Sequence, residues 1–207
     1  MRKLLRIFFH FLYHQFAFTY DLVSWLVSFG HWKDWIMEVL PYIEGTRILE
    51  IGHGPGHLQR ALLNRGLVAI AIDESAPMSR LAKRNTNKAA QLTRGLAEEL
   101  PFRNKAFDTV IATFPAEYIY DPRTLSEVRR CLSDGGRFIV LPVAMPRNRF
   151  LLWLFKVTDQ APSEALEIVQ KNFEEPFIES EFKVDTHIIE GTSGNLIIIV
   201  ATKENHA

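Results

Sequence analysis

The sequence predicts an α/β domain: a mostly parallel sheet with helices on both faces, closed at one edge by an antiparallel hairpin. Two observations carry this. From Arg47 to Pro142, short apolar runs alternate with segments of helical periodicity, and strands separated by helices pair in parallel. Lys183–Glu190 and Leu196–Thr202 are further strand-like runs, and the turn sequence from Gly191 to Asn195 joins them as a hairpin. At 207 residues the chain has room for one ordinary core, and its 47% hydrophobic content is normal for a globular protein. A net charge of zero argues against bulk nucleic-acid binding. The single cysteine, Cys131, excludes an intramolecular disulfide and reads as a small core residue on a helix.

Residues 1–44 read as a helical cap and 45–207 as the main domain. Nine aromatics lie between residues 4 and 29. Arg2, Arg6, His10 and His14 recur every fourth residue and share one helix edge, opposite Leu5, Phe8, Phe9, Leu12 and Phe16. Such a helix suits a membrane interface. It is not predicted to span one, because Arg6, His10, His14, Gln15 and Asp21 interrupt every long apolar window. No small-residue cleavage site follows the basic start, so a signal peptide is not expected. His10 and His14 have the spacing of a metal pair, but no third ligand is recognisable nearby and no metal is expected. Asp21 to Leu40 reads as a second helical region ending at Pro41.

The main domain then runs strand Arg47–Ile51, helix His57–Arg65, strand Val68–Ile72 and helix Pro77–Asn85. Strands Leu92–Gly95 and Thr109–Thr113, helix Thr124–Leu132 and strand Arg137–Pro142 follow. Pro146 to Pro176 is expected to be a helical insert carrying an apolar Phe150–Phe155 stretch with basic flanks Arg147, Arg149 and Lys156.

The pivot is the strand-to-turn-to-helix stretch Arg47–Leu58. Gly52, Gly54 and Gly56 remove three side chains from the turn, letting backbone lie against a ligand, and the next helix presents its N-terminus there. The spacing is G-x-G-x-G; a dinucleotide fingerprint would need glycine where His57 stands. Glu50 beside this turn suits a cationic ligand better than a pyrophosphate. His53 and His57 lie within the turn and are expected to border the ligand.

These residues carry a family resemblance. "ILEIGHGPGHL" resembles motif I of the class I S-adenosylmethionine-dependent methyltransferases, and "AIDESAPM", "GLAEELPF", "FDTVIATFPAEY" and "EVRRCLSDGGRFIVL" follow in the order that family requires. The segment before motif I is loosely similar to that of ubiquinone/menaquinone-type methyltransferases, and phospholipid methyltransferases are also similar. The resemblance implies a Rossmann-like methyltransferase fold, with a mostly parallel seven-stranded sheet and an antiparallel last strand. It also implies S-adenosylmethionine as cofactor and S-adenosylhomocysteine as product. Glu50 would then hold the amino-acid end of the cofactor, with Gly52, His53, Gly54 and Gly56 around its methionine portion. Asp73, with Glu74 beside it, would grip the ribose, and Leu96 and Ala97 would meet the adenine. Leu96 stands where the family commonly has an aspartate that accepts from the adenine amino group. That lost bond is worth about 1 kcal/mol.

After the fourth strand, Thr113 and Phe114 are expected beside the transferred methyl, with Pro115, Tyr20 and Trp153 lining the acceptor pocket. Glu117 and Tyr118 are the candidates to orient or deprotonate a nucleophile. The favoured expectation is a cytoplasmic enzyme at the inner membrane face. It would act on a lipophilic acceptor, a phospholipid headgroup or a quinone precursor, with residues 1–18 and 147–156 contacting the bilayer. One alternative is a soluble small-molecule methyltransferase whose aromatic helix is a lid or homodimer contact. Another is a non-catalytic cofactor-binding or assembly protein.

Overall fold

The computed structural model describes residues 31–146, 173–191 and 194–204. Seven strands form one sheet: β1 (Ile48–Ile51), β2 (Ala69–Asp73), β3 (Gln91–Arg94), β4 (Phe107–Thr113), β5 (Leu132–Pro146), β6 (Phe182–Glu190) and β7 (Gly194–Lys203). Their order is β3-β2-β1-β4-β5-β7-β6. The first five pair in parallel, and β7 runs antiparallel to both β5 and β6, as the hairpin reading requires. The chain builds outward from β1 to β3, then returns to the centre and builds the other way from β4. The β1–β4 junction is therefore the switch point, outside whose carboxyl edge ligands bind in open α/β sheets.

Helices α1 (Trp32–Met37), α2 (His57–Asn64), α3 (Ala76–Asn85) and α4 (Pro122–Cys131) precede a fifth, α5, at residues 173–179. On one sheet face, Trp35, Ile36 and Val39 join Leu58 and Leu62 of α2 against Ile48, Ile111, Ile139 and Ile198. On the other, Leu125, Val128 and Cys131 of α4 and Phe177 of α5 cover Val110, Phe138 and Ile199. Right-handed crossovers explain the split, because β1-α2-β2-α3-β3 and β4-α4-β5 advance in opposite directions. Both α3 and α4 start on a side-chain cap. Ser75 Oγ accepts from the Met78 amide at 3.3 Å, and Asp121 Oδ1 accepts from the Arg123 amide at 2.8 Å.

Three expectations are corrected. The helical region before β1 does not stop at Pro41: a 3₁₀ turn, Leu40–Tyr42, contains it, and a proline lacking N–H is tolerated there. Strand β5 does not end at Pro142 but continues to Pro146, paired with Gly194 of β7. Its ladder shifts register between Val140 and Val143, so the proline falls in an irregularity where no donor is needed. Pro146, where the helical insert is expected to begin, is a strand residue, and Pro176 lies inside α5 rather than ending the segment; residues 147–172 lie outside the described residues. The aromatic N-terminal stretch, Tyr20, residues 147–156 and Trp153 lie outside the described residues.

Candidate active site

At the carboxyl edge of β1 and β2 two carboxylates flank the glycine turn. Glu50 is 1% exposed, and its Oε2 accepts from Gln59 Nε2 at 2.7 Å. Gln59, in the first turn of α2, is itself buried. Burial pushes the Glu50 carboxyl up to about 7; the Gln59 bond opposes this, and the nearby Asp73 charge adds to it. Asp73 closes β2 and clasps the turn: Oδ2 accepts from the Gly54 amide at 2.9 Å and Oδ1 from the Ser75 amide at 2.8 Å. Each carboxylate oxygen has a second lone pair, so Asp73 can still accept from a ligand hydroxyl pair. Glu74 beside it is exposed.

The three glycines do three different things, which amends the expectation that all of them clear space for a ligand. All have positive φ: 72° at Gly52, 49° at Gly54 and 81° at Gly56. A Cβ on Gly56 would lie 2.9 Å from the Ala82 Cβ, so this glycine lets α2 and α3 pack closely. A Cβ on Gly52 would collide with the Tyr118 hydroxyl, whereas one on Gly54 would meet nothing within 4 Å. The open face of the turn is therefore at Gly54, between Glu50 and Asp73 in sequence and held by the latter.

His53 is 3% exposed and does not present a free base. Its Nδ1 lies 2.8 Å from the Gly54 carbonyl oxygen, which only accepts, so Nδ1 carries the proton. Burial lowers its pKa and keeps the ring neutral; Nε2 then accepts from Ser79 Oγ at 3.4 Å. The ring ties the turn to α3. His57, also buried, opens α2.

Beyond β4 the chain turns sharply at Phe114, whose φ is 48° and whose amide donates to the Leu141 carbonyl at 2.7 Å. This left-handed backbone aims the ring at α1: Phe114 lies against Trp32 with centroids 4.1 Å apart and against Trp35 at 6.4 Å. Thr113 and Pro115 are half-buried on either side. In the 3₁₀ turn Glu117–Tyr120, Glu117 is exposed while the Tyr118 hydroxyl covers Gly52. After β3, Leu96 is 47% exposed and Ala97 is 7% exposed, packed into the core. The structure thus brings Glu50, Gly52, Gly54, Asp73, Ser75 and Tyr118 to one sheet edge. Three participants were missed from sequence: Gln59, Ser79 and Trp32. A polar residue on the inward stripe of α2, one position after Leu58, was the signal for Gln59.

Among the described residues no cluster of His, Cys, Asp or Glu has the makings of a metal site. Two acids flanking an open glycine turn at a switch point suit a nucleoside-bearing ligand with a cationic end. A family model described as a methyltransferase domain matches residues 49–140. A demethylmenaquinone methyltransferase of Symbiobacterium thermophilum is 32% identical over 160 residues, 70% of this chain and 63% of that protein. Another, from Thermobifida fusca, is 30% identical over 159 residues, 70% of this chain and 67% of the relative. A SAM-dependent methyltransferase structure from Methanosarcina mazei superposes with a TM-score of 0.60 at 19% identity, over 81% of this chain and 98% of that one. The chain belongs to the class I S-adenosylmethionine-dependent methyltransferases. It spans 61–63% of the length of several of the curated relatives it matches.

Proposed function

We propose that this protein transfers a methyl group from S-adenosylmethionine to a small lipophilic acceptor, a quinone precursor being favoured. The carrying observation is the Gly54 turn, open on one side and held by Asp73, with the buried Glu50–Gln59 pair behind it. The cofactor supplies an activated methyl on a sulfonium and its own leaving group. Glu50, ionised, attracts the cationic amino-acid end, and Gln59 fixes the carboxylate's direction. Asp73 accepts from the ribose hydroxyls, and Ala97 meets the base through its backbone while Leu96 lies along the ring. With the cofactor fixed, rate comes mainly from holding the acceptor in line and excluding water, which can supply roughly 7–11 kcal/mol of the barrier.

The aromatic group of Trp32 and Phe114 at the end of β4 supports an apolar, flat acceptor, as do relatives named demethylmenaquinone methyltransferase. Tyr118, over Gly52, is the residue of this edge best suited to hold or receive an acceptor proton; Glu117 is its exposed neighbour. Residues 1–18 and 147–156 supply the bilayer contact that an acceptor of this kind calls for. Among the described residues no helix is long and apolar enough to cross a membrane. The test is turnover of a short-chain demethylated quinol against water-soluble catechols and amines, with S-adenosylhomocysteine formation as readout. Methylation of the quinol with kcat/KM at least tenfold above the soluble acceptors is expected. The reverse ranking would overturn the acceptor assignment.

A further inference from the structure

The chain is neutral overall, yet its charges are sorted. From His57 to Lys88 the acids are Asp73 and Glu74, both at the end of β2, while Arg60, Arg65, Arg80, Lys83, Arg84 and Lys88 are cationic. All six are exposed, and none of the six forms an ion pair within the described residues. Helices α2 and α3 lie on the same sheet face, so these side chains share one outer surface. Lys33 of α1 extends it; of the two acids nearby, Asp34 contacts His31 at 3.2 Å and Glu38 caps the C-terminal end of the helix.

Within this surface a cavity of about 290 Å³ opens between α1 and α2. Lys33, Arg60 and Arg65 line it with Asn64 and His57; Met37 and Ala61 form its apolar floor. Arg65 Nη1 reaches Met37 Sδ at 3.8 Å. Three cations and an amide around a small apolar floor match a phosphate with a short carbon group attached.

We infer that the outer face of α1, α2 and α3 docks on an anionic phospholipid bilayer, with the Lys33–Arg60–Arg65 cavity receiving a headgroup phosphate. The lipid source is favoured over nucleic acid because the site is a pocket with an apolar floor, whereas a phosphate backbone asks for a groove lined with cations and stacking aromatics. The aromatic, cationic first 18 residues lie 13 residues before α1 in the chain. This inference rests on the membrane side of the proposed function and not on its chemistry. Vesicle binding is read without turnover, so the two can fail separately.

The experiment is flotation of the full chain with vesicles of phosphatidylcholine alone and of phosphatidylcholine with phosphatidylglycerol, at low and high salt. The readout is the ratio of the two partition coefficients. Three proteins are compared: wild type, K33Q/R60Q/R65Q in the pocket, and R80Q/K83Q/R84Q on α3. Wild type should prefer the anionic vesicles, and salt should erase the preference. A basic residue at such a surface contributes about fivefold, so the α3 variant should lose about a hundredfold of the anionic preference. The pocket variant, which also loses the seated phosphate, should lose at least about tenfold more than that, and both should bind S-adenosylhomocysteine as wild type does. Equal losses in the two variants would overturn the pocket. No anionic preference in wild type would overturn the docking surface. So would tighter binding to duplex DNA, or to free glycerol phosphate, than to anionic vesicles at the same salt.

Discussion

Replacing Gln59 by leucine isolates what the buried carboxylate contributes to ligand recognition. The wild-type Glu50 carboxyl titrates at about 7, held there by burial against the opposing 2.7 Å bond from Gln59. A hydrogen bond to a charged group is worth about 1.5–3 kcal/mol, so its removal should raise that pKa by about one to two units. Near neutral pH the ionised fraction then falls from about one half to between about one tenth and one hundredth. If the charged form recognises the cationic end of the cofactor, affinity drops about five- to fiftyfold near pH 7 and less than about twofold near pH 9. The assay is calorimetric titration of S-adenosylhomocysteine into both proteins at several pH values. Comparing variant with wild type at each pH cancels the ligand's own titration. A loss of equal size at both pH values would refute the electrostatic account and leave Gln59 as packing.

Three further outcomes follow from the same geometry. Because the folded-state pKa of Glu50 lies above the ordinary carboxylate value, the ligand-free protein binds this proton more tightly folded than unfolded. Its contribution to stability is therefore retained at acid pH and lost as pH rises from about 4.5 to about 7, by about 3 kcal/mol; Glu50→Gln should remove that slope from thermal melts. Gly54→Ala should abolish cofactor binding at a stability cost near 1 kcal/mol, whereas Gly56→Ala, driven into Ala82, should cost more stability at a smaller loss of affinity; denaturant melts paired with calorimetry separate the two. Tyr118→Phe should leave cofactor affinity within about twofold and lower turnover about a hundredfold if the hydroxyl handles an acceptor proton. Unchanged turnover would reduce Tyr118 to a wall over Gly52.

What could be read in the chain was local. Strand, turn and helix from Ile48 to Leu58 are encoded by contiguous residues, so Glu50 and the glycine turn stood out before any coordinates, and Asp73 stood out through the family resemblance. Pairings made across the fold were not visible in the same way. His53 meets Ser79, 26 residues on, and Phe114 meets Trp32 from another element altogether. Nothing in the local sequence says that a positive φ at Phe114 turns its ring toward α1. The end of β5 was misjudged because proline normally breaks a ladder, and only the register shift opposite β7 shows how Pro142 is accommodated. The differing roles of the three glycines likewise depend on Tyr118 and Ala82, which the spacing alone does not supply.

The most direct test of the central claim is calorimetric titration of S-adenosylhomocysteine into wild type, Glu50→Ala and Asp73→Ala, with thermal melts as a folding control. Micromolar binding by wild type, weakened at least about tenfold in both folded variants, is the predicted result. Wild-type affinity in both variants would place the cofactor somewhere other than the carboxyl edge of β1 and β2.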